Sequence, residues 1–573
     1  MTLSHRHLLA LTLSAFFFGV LCILPNIIQR FDAAYPFQGI EMLGSDQELY
    51  YAARVREVFD GHWGLGNVYH ADKSLPYAQP PLPEWIMGGL GLALGLGIGK
   101  TILLAKWLFG AALFVTMAGF LTRLTDRPWA SLAVTAAVLC SWFLFASPWA
   151  LRDALLGLPL STEFIRFARL TNPQISLTLF FATLWSLAAW LRTSKKMSLI
   201  FAGLFLGLSF YAYPYTWSYL LATIGTLGIV EIAKRQWKTV GWLCALLAIA
   251  AVVALPYVLH QHAVAAHQAY ASLLERFGLV HTRMPIWGGW LTILVLLGVF
   301  APRRIGKPGS LVFALAAAGA IAMNQQLLTG VTVVPNHYHW YFIHPLSVAF
   351  FLLCATAIAS RFVRVPPRFV PLLALVALVA CFAWGIKFQR DSYIGQRQAW
   401  GQAQQEAGVL AALDGPAFRG ATVSAPAALS ERIPVFSHAD VFHATNENIG
   451  CLCTTQELQD RYFLELRLAG VSPQEASRRF PDDLRTELSG RIYAIALREQ
   501  TGSYGGLPDG EVLRLIREYH AFSGRPIEEV LRETPIDAVV IEKGTPLASP
   551  LRRLLSQGRR VYGDEWYELW DVR

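Results

Sequence analysis

The sequence predicts a multi-span α-helical membrane protein with a soluble α/β domain at its C-terminal end. Three observations predict it. Hydrophobic residues make up 54% of the 573, charged residues only 15%, and mean hydropathy is +0.40, whereas a soluble domain carries about a quarter charged residues. Apolar stretches long enough to cross a bilayer recur as far as residue 386. From 387 to 573 the chain turns charged and contains no such stretch. The 18 tryptophans, 20 tyrosines and 34 phenylalanines suit aromatic belts at two membrane interfaces. The net charge of +9 reads as topology rather than as nucleic-acid binding.

A span needs about 20 apolar residues. Spans are expected at 8–25, 104–122, 129–147, 173–192, 197–213, 215–233, 240–259, 286–301, 309–323, 343–360 and 367–386. The first lacks the small-residue cleavage site of a signal peptide and reads as a retained anchor. The stretch from Trp85 to Gly99 is short and rich in glycine, and parity decides its status. Basic clusters stand at Arg123/Arg127, Arg192/Lys195/Lys196, Lys234/Arg235/Lys238, Arg303/Arg304/Lys307 and Arg361/Arg364/Arg368. If 85–99 does not cross, all of them share the cytoplasmic side with Arg6, as the positive-inside rule requires. The expectation is therefore a juxtamembrane or re-entrant helix at 85–99 and about eleven spans in an inner (plasma) membrane. The N-terminus is then cytoplasmic. A large first loop (26–100), the loops 148–172, 260–285 and 324–342, and the tail share the outer face.

The tail, nearly 190 residues, is long enough for its own core. Strands are expected within 421–436, 536–546 and 559–572, with amphipathic helices at about 455–469 and 510–532. Cys22, Cys140, Cys244, Cys354 and Cys381 lie in apolar segments, where a small buried thiol is the ordinary reading. Cys451 and Cys453 form a C-x-C with no second pair for zinc. A bridge between them is possible but would be strained.

The first outer loop carries more charge than a connector needs: Asp46, Glu48 and Glu57, with Arg54 and Arg56 between them. A helix beginning near Ser45 puts Tyr50, Ala53 and Val58 on one face, with Tyr50 a substrate-facing candidate. Asp46 then lies in the first turn, where a carboxylate gains from the helix dipole. Capping by Ser45 or Asp46 explains the same residues more plainly. Pro80, Pro81 and Pro83 precede the apolar 85–99 stretch and stiffen its start.

These residues also carry a resemblance. An acidic pair at the head of a first-loop helix, then A-x-x-x-x-E-x-x-x-G-x-W at 52–63, then P-P-L-x-x-W at 80–85, resembles the GT-C glycosyltransferases. It is most similar to the branch of protein O-mannosyltransferases and bacterial aminoarabinose transferases. The resemblance covers 1–386 in architecture as a GT-C-like catalytic domain, but only about 40–90 in motif. It implies that Asp46 acts at the acceptor or beside the donor phosphate. The family often has Asp-Glu or Glu-x-Asp where this chain has Asp-Gln-Glu, which leaves the role of Glu48 open. The W-W-D signature of oligosaccharyltransferases is absent, which points away from that branch.

The loop 148–172 holds Arg152, Asp153, Glu163, Arg166 and Arg169. Guanidinium forks suit phosphate, and helical spacing would put Arg166 and Arg169 on one face. Together with Arg152 and Lys73 they are the phosphate-binding candidates. Snorkelling toward lipid headgroups is the bland alternative. Asp153 and Glu163 are second-rank catalytic candidates by the resemblance. In 209–219 Tyr213 and its aromatic neighbours can stack on a sugar, though an interfacial belt explains them equally well. Gln326, His337 and His339 stand at span ends, where polar groups are costly unless they face a cavity. Hydrogen bonding to substrate is the reading for them, since two histidines lack a third metal ligand.

The implied activity is sugar transfer from a polyprenyl-phosphate donor to a lipid, glycan or protein acceptor on the outer face. It would run by inverting single displacement with Asp46 as base. The residues admit a divalent metal (Mg or Mn) without requiring one, and no nucleic-acid partner is expected. The alternative is a transporter or lipid-linked-sugar flippase with an accessory domain. That reading expects ionisable groups at mid-membrane in two matching halves, whereas the polar residues here gather on one face. A non-catalytic envelope scaffold is a third reading.

Overall fold

The computed structural model describes residues 4–45, 47–145, 148–156, 158, 163–277, 279–300, 309–363, 365–444, 451–488 and 509–573. Asp46 lies outside the described residues.

Two bodies follow one another along the chain: a helical bundle, then a small sheet domain. Among the described residues, eight helical stretches are long and apolar enough to cross a membrane. They include α1 (His5–Arg30), α4 (Ile98–Thr125), α7 (Gln174–Thr193), α9 (Pro214–Ala233) and α10 (Trp237–Ala265). The others are Gly309–Thr329, Asn336–Phe362 and Pro367–Leu413. Three shorter apolar helices, α5 (Pro128–Cys140), α8 (Lys196–Phe210) and α12 (Gly289–Phe300), fall where further spans were expected. The first-loop helices are α2 (Glu48–Phe59) and α3 (Leu82–Ala93). With 12 residues, α3 is about 18 Å long at 1.5 Å per residue, short of the ~30 Å hydrocarbon core.

Small residues let the bundle helices approach closely, as packing without a hydrophobic driving force requires. A Cβ on Gly19 of α1 would lie 2.5 Å from the Trp107 carbonyl oxygen of α4. At Gly207 of α8 it would meet Val253 of α10 at 2.5 Å. The helix Val370–Ala403 runs on through residue 387 without a break. The composition change there marks where the chain leaves the apolar layer, and the first strand of the sheet domain starts only at Thr422. Gln389 of this helix donates to the Leu21 carbonyl of α1 at 3.0 Å and accepts from the Ile165 amide at 2.9 Å.

The sheet domain has strands β3 (Thr422–Ser424), β4 (Asp440–Val441), β5 (Ala538–Glu542), β6 (Arg559–Gly563) and β7 (Tyr567–Asp571), in the order β4-β3-β5-β7-β6. β3 is parallel to β4 and β5, and β7 is antiparallel to β5 and β6. Of the expected strand 421–436 only 422–424 is extended. The rest forms helical turns at Ala427–Ser430 and Ile433–Phe436, each led by a proline that pre-sets its first turn. Cys451 and Cys453 are joined as a disulfide. Their Cα atoms lie 5.1 Å apart, within the reach of a bridge.

Candidate functional site

Four of the loops expected on the outer face meet at one cavity of about 450 Å³. Gln47, Tyr51, Gln79, Pro80 and Glu84 come from the first loop, and Arg169, Thr171 and Asn172 from the second. Tyr213 and Trp217 come from the turn before and into α9. Tyr257 and Gln261 of α10, and Tyr270, Leu273 and Leu274 of α11 (Tyr270–Arg276), form an apolar side. Gln325, Thr332 and His337 complete the wall, with Thr332 on the antiparallel strand pair of β1 (Leu279–His281) and β2 (Val331–Val333).

Arg169 is the cation of the described lining. It is 7% exposed, donates Nε to the Asn172 carbonyl oxygen, and donates Nη2 to the Tyr341 hydroxyl at 2.9 Å. The rings of Tyr51 and Tyr341 lie 5.7 Å from its guanidinium carbon, a cation–π arrangement that keeps the charge in place with little water. Burial pushes the Tyr51 phenol above its ordinary range, against the pull of Arg169, so it stays a hydrogen-bond donor. Tyr213 and His337 are brought together as well, with the hydroxyl 2.6 Å from Nδ1.

Glu84 is the carboxylate of the described lining, and Arg54 holds it. Arg54 Nε donates to Glu84 Oε1 at 3.0 Å, and Nη2 donates to the carbonyls of Gln79 (3.3 Å) and Pro80 (3.1 Å). The pair is almost fully buried. Burial works against the Arg54 charge, and Glu84 together with Tyr50 more than offsets it. One arginine on α2 thus fixes the proline-flanked wall. Among the described residues no three His, Cys, Asp or Glu side chains gather as a metal site would need. Among the described lining residues, a lone carboxylate already bound to arginine does not fit the oxygen-rich shell of Mg or Mn.

Several candidates sit elsewhere. Glu48 is 1% exposed and pairs with Lys106 of α4 at 2.7 Å, so it braces the fold beside the cavity. Arg166 is sandwiched between Trp142 and Trp340, its guanidinium carbon 4.5 and 4.8 Å from their ring centres, with Glu163 4.0 Å away. The expected shared face with Arg169 does not form. Arg166–Ala168 is a single 3-10 turn, and Arg169 beyond it is extended. Arg152 and Asp153 pair with each other at 2.6 Å on the exposed α6 (Pro148–Leu155). Lys73 is bonded to Glu57 (2.7 Å) and to Asp440 of β4 (2.6 Å). Tyr50 stacks on Tyr69, and its neighbour Tyr51 faces the cavity instead. Gln326 donates to the Met284 carbonyl at 3.0 Å, and its neighbour Gln325 lines the wall instead. His339 packs edge-on against Trp340.

Sequence reasoning passed over Glu84, Gln79 and Asn172. The signal for Glu84 was present: a carboxylate beside three prolines, thirty residues after an arginine that needs a partner. Nothing local marks the apolar side at 257–277.

No family model matches the chain, and no curated protein matches it. Among solved structures it is similar to the oligosaccharyltransferase of Archaeoglobus fulgidus in the apo form, at 12% identity over 94% of this chain and 70% of that one, with a TM-score of 0.44. It is similar to AglB of the same archaeon in complex with an inhibitory peptide and a dolichol-phosphate (11% identity, 94% and 69% covered, TM-score 0.43). It is also similar to ArnT from Cupriavidus metallidurans bound to undecaprenyl phosphate (12% identity, 99% and 97% covered, TM-score 0.38). At these identities and TM-scores the likeness assigns no activity to the chain.

Proposed function

We propose that the protein is a membrane glycosyltransferase that moves a sugar from a polyprenyl-phosphate donor to an acceptor hydroxyl at the extracytoplasmic face. The observation that carries the reading is Arg169. It is a buried guanidinium at the wall of a large, mostly apolar and aromatic cavity, placed where the loops expected on one membrane face converge. A guanidinium fork is suited to a phosphate, and apolar walls suit an isoprenoid tail.

In the reaction Asp46 takes the proton of the acceptor hydroxyl as its oxygen attacks the anomeric carbon. The bond to the phosphate oxygen breaks, and the polyprenyl phosphate leaves with the electron pair. A single displacement inverts the anomeric centre. Gln47, next in the chain, lines the cavity, which supports a role for Asp46. Arg169 stabilises the charge that builds on the departing phosphate, and Tyr213 with His337 and Tyr51 supply hydrogen bonds. No step uses a metal.

Membranes carrying the protein, given labelled polyprenyl-phosphate sugars, test the reading. Label should pass to an acceptor fraction with wild type. With Asp46→Asn it should stay on the donor while donor binding persists. Near-normal transfer by purified Asp46→Asn contradicts the role of that acid. Donor that only crosses the bilayer, with no bond made, would favour the flippase.

A further inference from the structure

Behind the apolar wall of the cavity lies an arrangement that the transfer reaction does not use. Cys451 and Cys453 of the sheet domain are bridged and buried, which closes a small ring with Leu452 at its tip. Leu452 is 2% exposed and packs among Leu75 and Ala78 of the first loop, Val264 of α10, Ala269, and Leu273 of α11. Arg276, the last residue of α11, is also buried. Its Nη2 donates to both the Cys451 and the Cys453 carbonyl oxygens at 2.8 Å, and its Nη1 reaches Thr455 Oγ1 at 3.5 Å. From the first loop, Asn67 Nδ2 donates to Cys451 Sγ at 3.5 Å.

Tyr270, Leu273 and Leu274 of α11 also line the cavity. α11 is only seven residues long, and so short a helix does not hold together in water on its own. Its position therefore comes from what it packs against, and the bridged ring is a large part of that. One guanidinium nitrogen reaches two carbonyls two residues apart because the ring turns both toward it.

We propose that the Cys451–Cys453 ring is a thiol–disulfide-dependent support for the cavity wall. Bridged, it clamps α11 through Arg276 and Leu452; opened, it releases α11 and loosens the apolar side of the cavity. Opening is ordinary thiol exchange. A thiolate of a small dithiol attacks one sulfur and the S–S bond breaks to leave a mixed disulfide. The second reductant thiol then displaces the protein sulfur. The protein gains two electrons and two protons as two thiols, and the reductant leaves as a disulfide. Arg169 hangs on a different loop, so the phosphate contact is not itself dismantled.

Hydrogen–deuterium exchange on the full-length protein in detergent tests this, with alkylation and mass measurement reporting the state of the two cysteines. Exchange across residues 263–277 should rise tenfold or more after dithiothreitol, while Gln174–Thr193 of α7 stays unchanged. Arg276→Gln, with the bridge intact, should also speed exchange at 263–277. If dithiothreitol leaves the bridge closed, Cys453→Ser takes its place with the same expectation. Equal protection of 263–277 in bridged and opened protein overturns the proposal, as does free thiol at both positions without reductant. The exchange measurement does not depend on sugar transfer. A rise in exchange with no change in undecaprenyl phosphate affinity would therefore count against the functional reading and leave the support intact.

Discussion

Lys106 donates to Glu48 Oε1 at 2.7 Å inside the protein, and the same oxygen accepts the Leu170 amide at 2.9 Å. The acid thus ties together α2, α4 and the segment that carries Arg169. Removing one partner of such a buried pair leaves a stranded charge and costs about 3–5 kcal/mol. Glu48→Ala should lower the unfolding midpoint of the purified protein accordingly and weaken phosphate binding through Arg169. A Glu48→Ala protein as stable as wild type but devoid of transfer would instead place Glu48 in the chemistry.

Arg169→Lys keeps the charge but loses the planar fork bonded to the Asn172 carbonyl and the Tyr341 hydroxyl. A charge-assisted hydrogen bond is worth about 1.5–3 kcal/mol, and about 1.4 kcal/mol is a tenfold change in affinity. Donor affinity should therefore fall roughly 10- to 100-fold, read as a rise in KM with acceptor KM unaltered. An unchanged donor KM would remove Arg169 from the site.

Tyr213→Phe deletes the hydroxyl that meets His337 Nδ1 at 2.6 Å. A net hydrogen bond contributes about 1 kcal/mol, so transfer should drop roughly fivefold, with folding intact by circular dichroism. A loss of several hundredfold would assign His337 a direct part in proton transfer.

The first loop docks on the sheet domain through Lys73, Glu57 and Asp440, with His62 on Glu57 at 2.8 Å. His438 is 2.6 Å from Asp60, which with Asp414 also meets Arg56. Burial raises the Asp440 carboxyl to about 6, against the pull of Lys73. The hydrogen bond to Glu57 raises His62. Both groups bind protons more tightly folded than unfolded. Their contribution is therefore fully present below the unfolded values and is lost as pH rises through the folded ones. For Asp440 that window runs from 3.8 to about 6. Stability should fall as pH is raised across it, and Asp440→Asn should flatten the profile. A stability that climbs across that window in wild type and mutant alike would contradict the assignment.

The helical bundle was legible because apolar length is a property of the chain itself. The convergence of the loops was legible from the side on which their flanking basic clusters fall. The phases of short polar elements were not. Tyr50 against Tyr51 and Gln326 against Gln325 differ by one residue, and the choice depends on what covers each face: Tyr69 for one, the Met284 carbonyl for the other. Helical spacing misplaced Arg166 because Trp142 and Trp340 capture it. β4 has two residues and no pattern to detect. The ring at Cys451 and Cys453 meets Arg276 of α11 and Asn67, both far away in sequence.

The central claim is that the cavity binds an isoprenoid phosphate through Arg169. Native mass spectrometry of the purified protein with undecaprenyl phosphate tests it most directly. Wild type should retain one molecule per chain, and Arg169→Ala should lose it at the same lipid concentration while keeping its fold. Equal retention by wild type and Arg169→Ala, or none by wild type, would contradict the account.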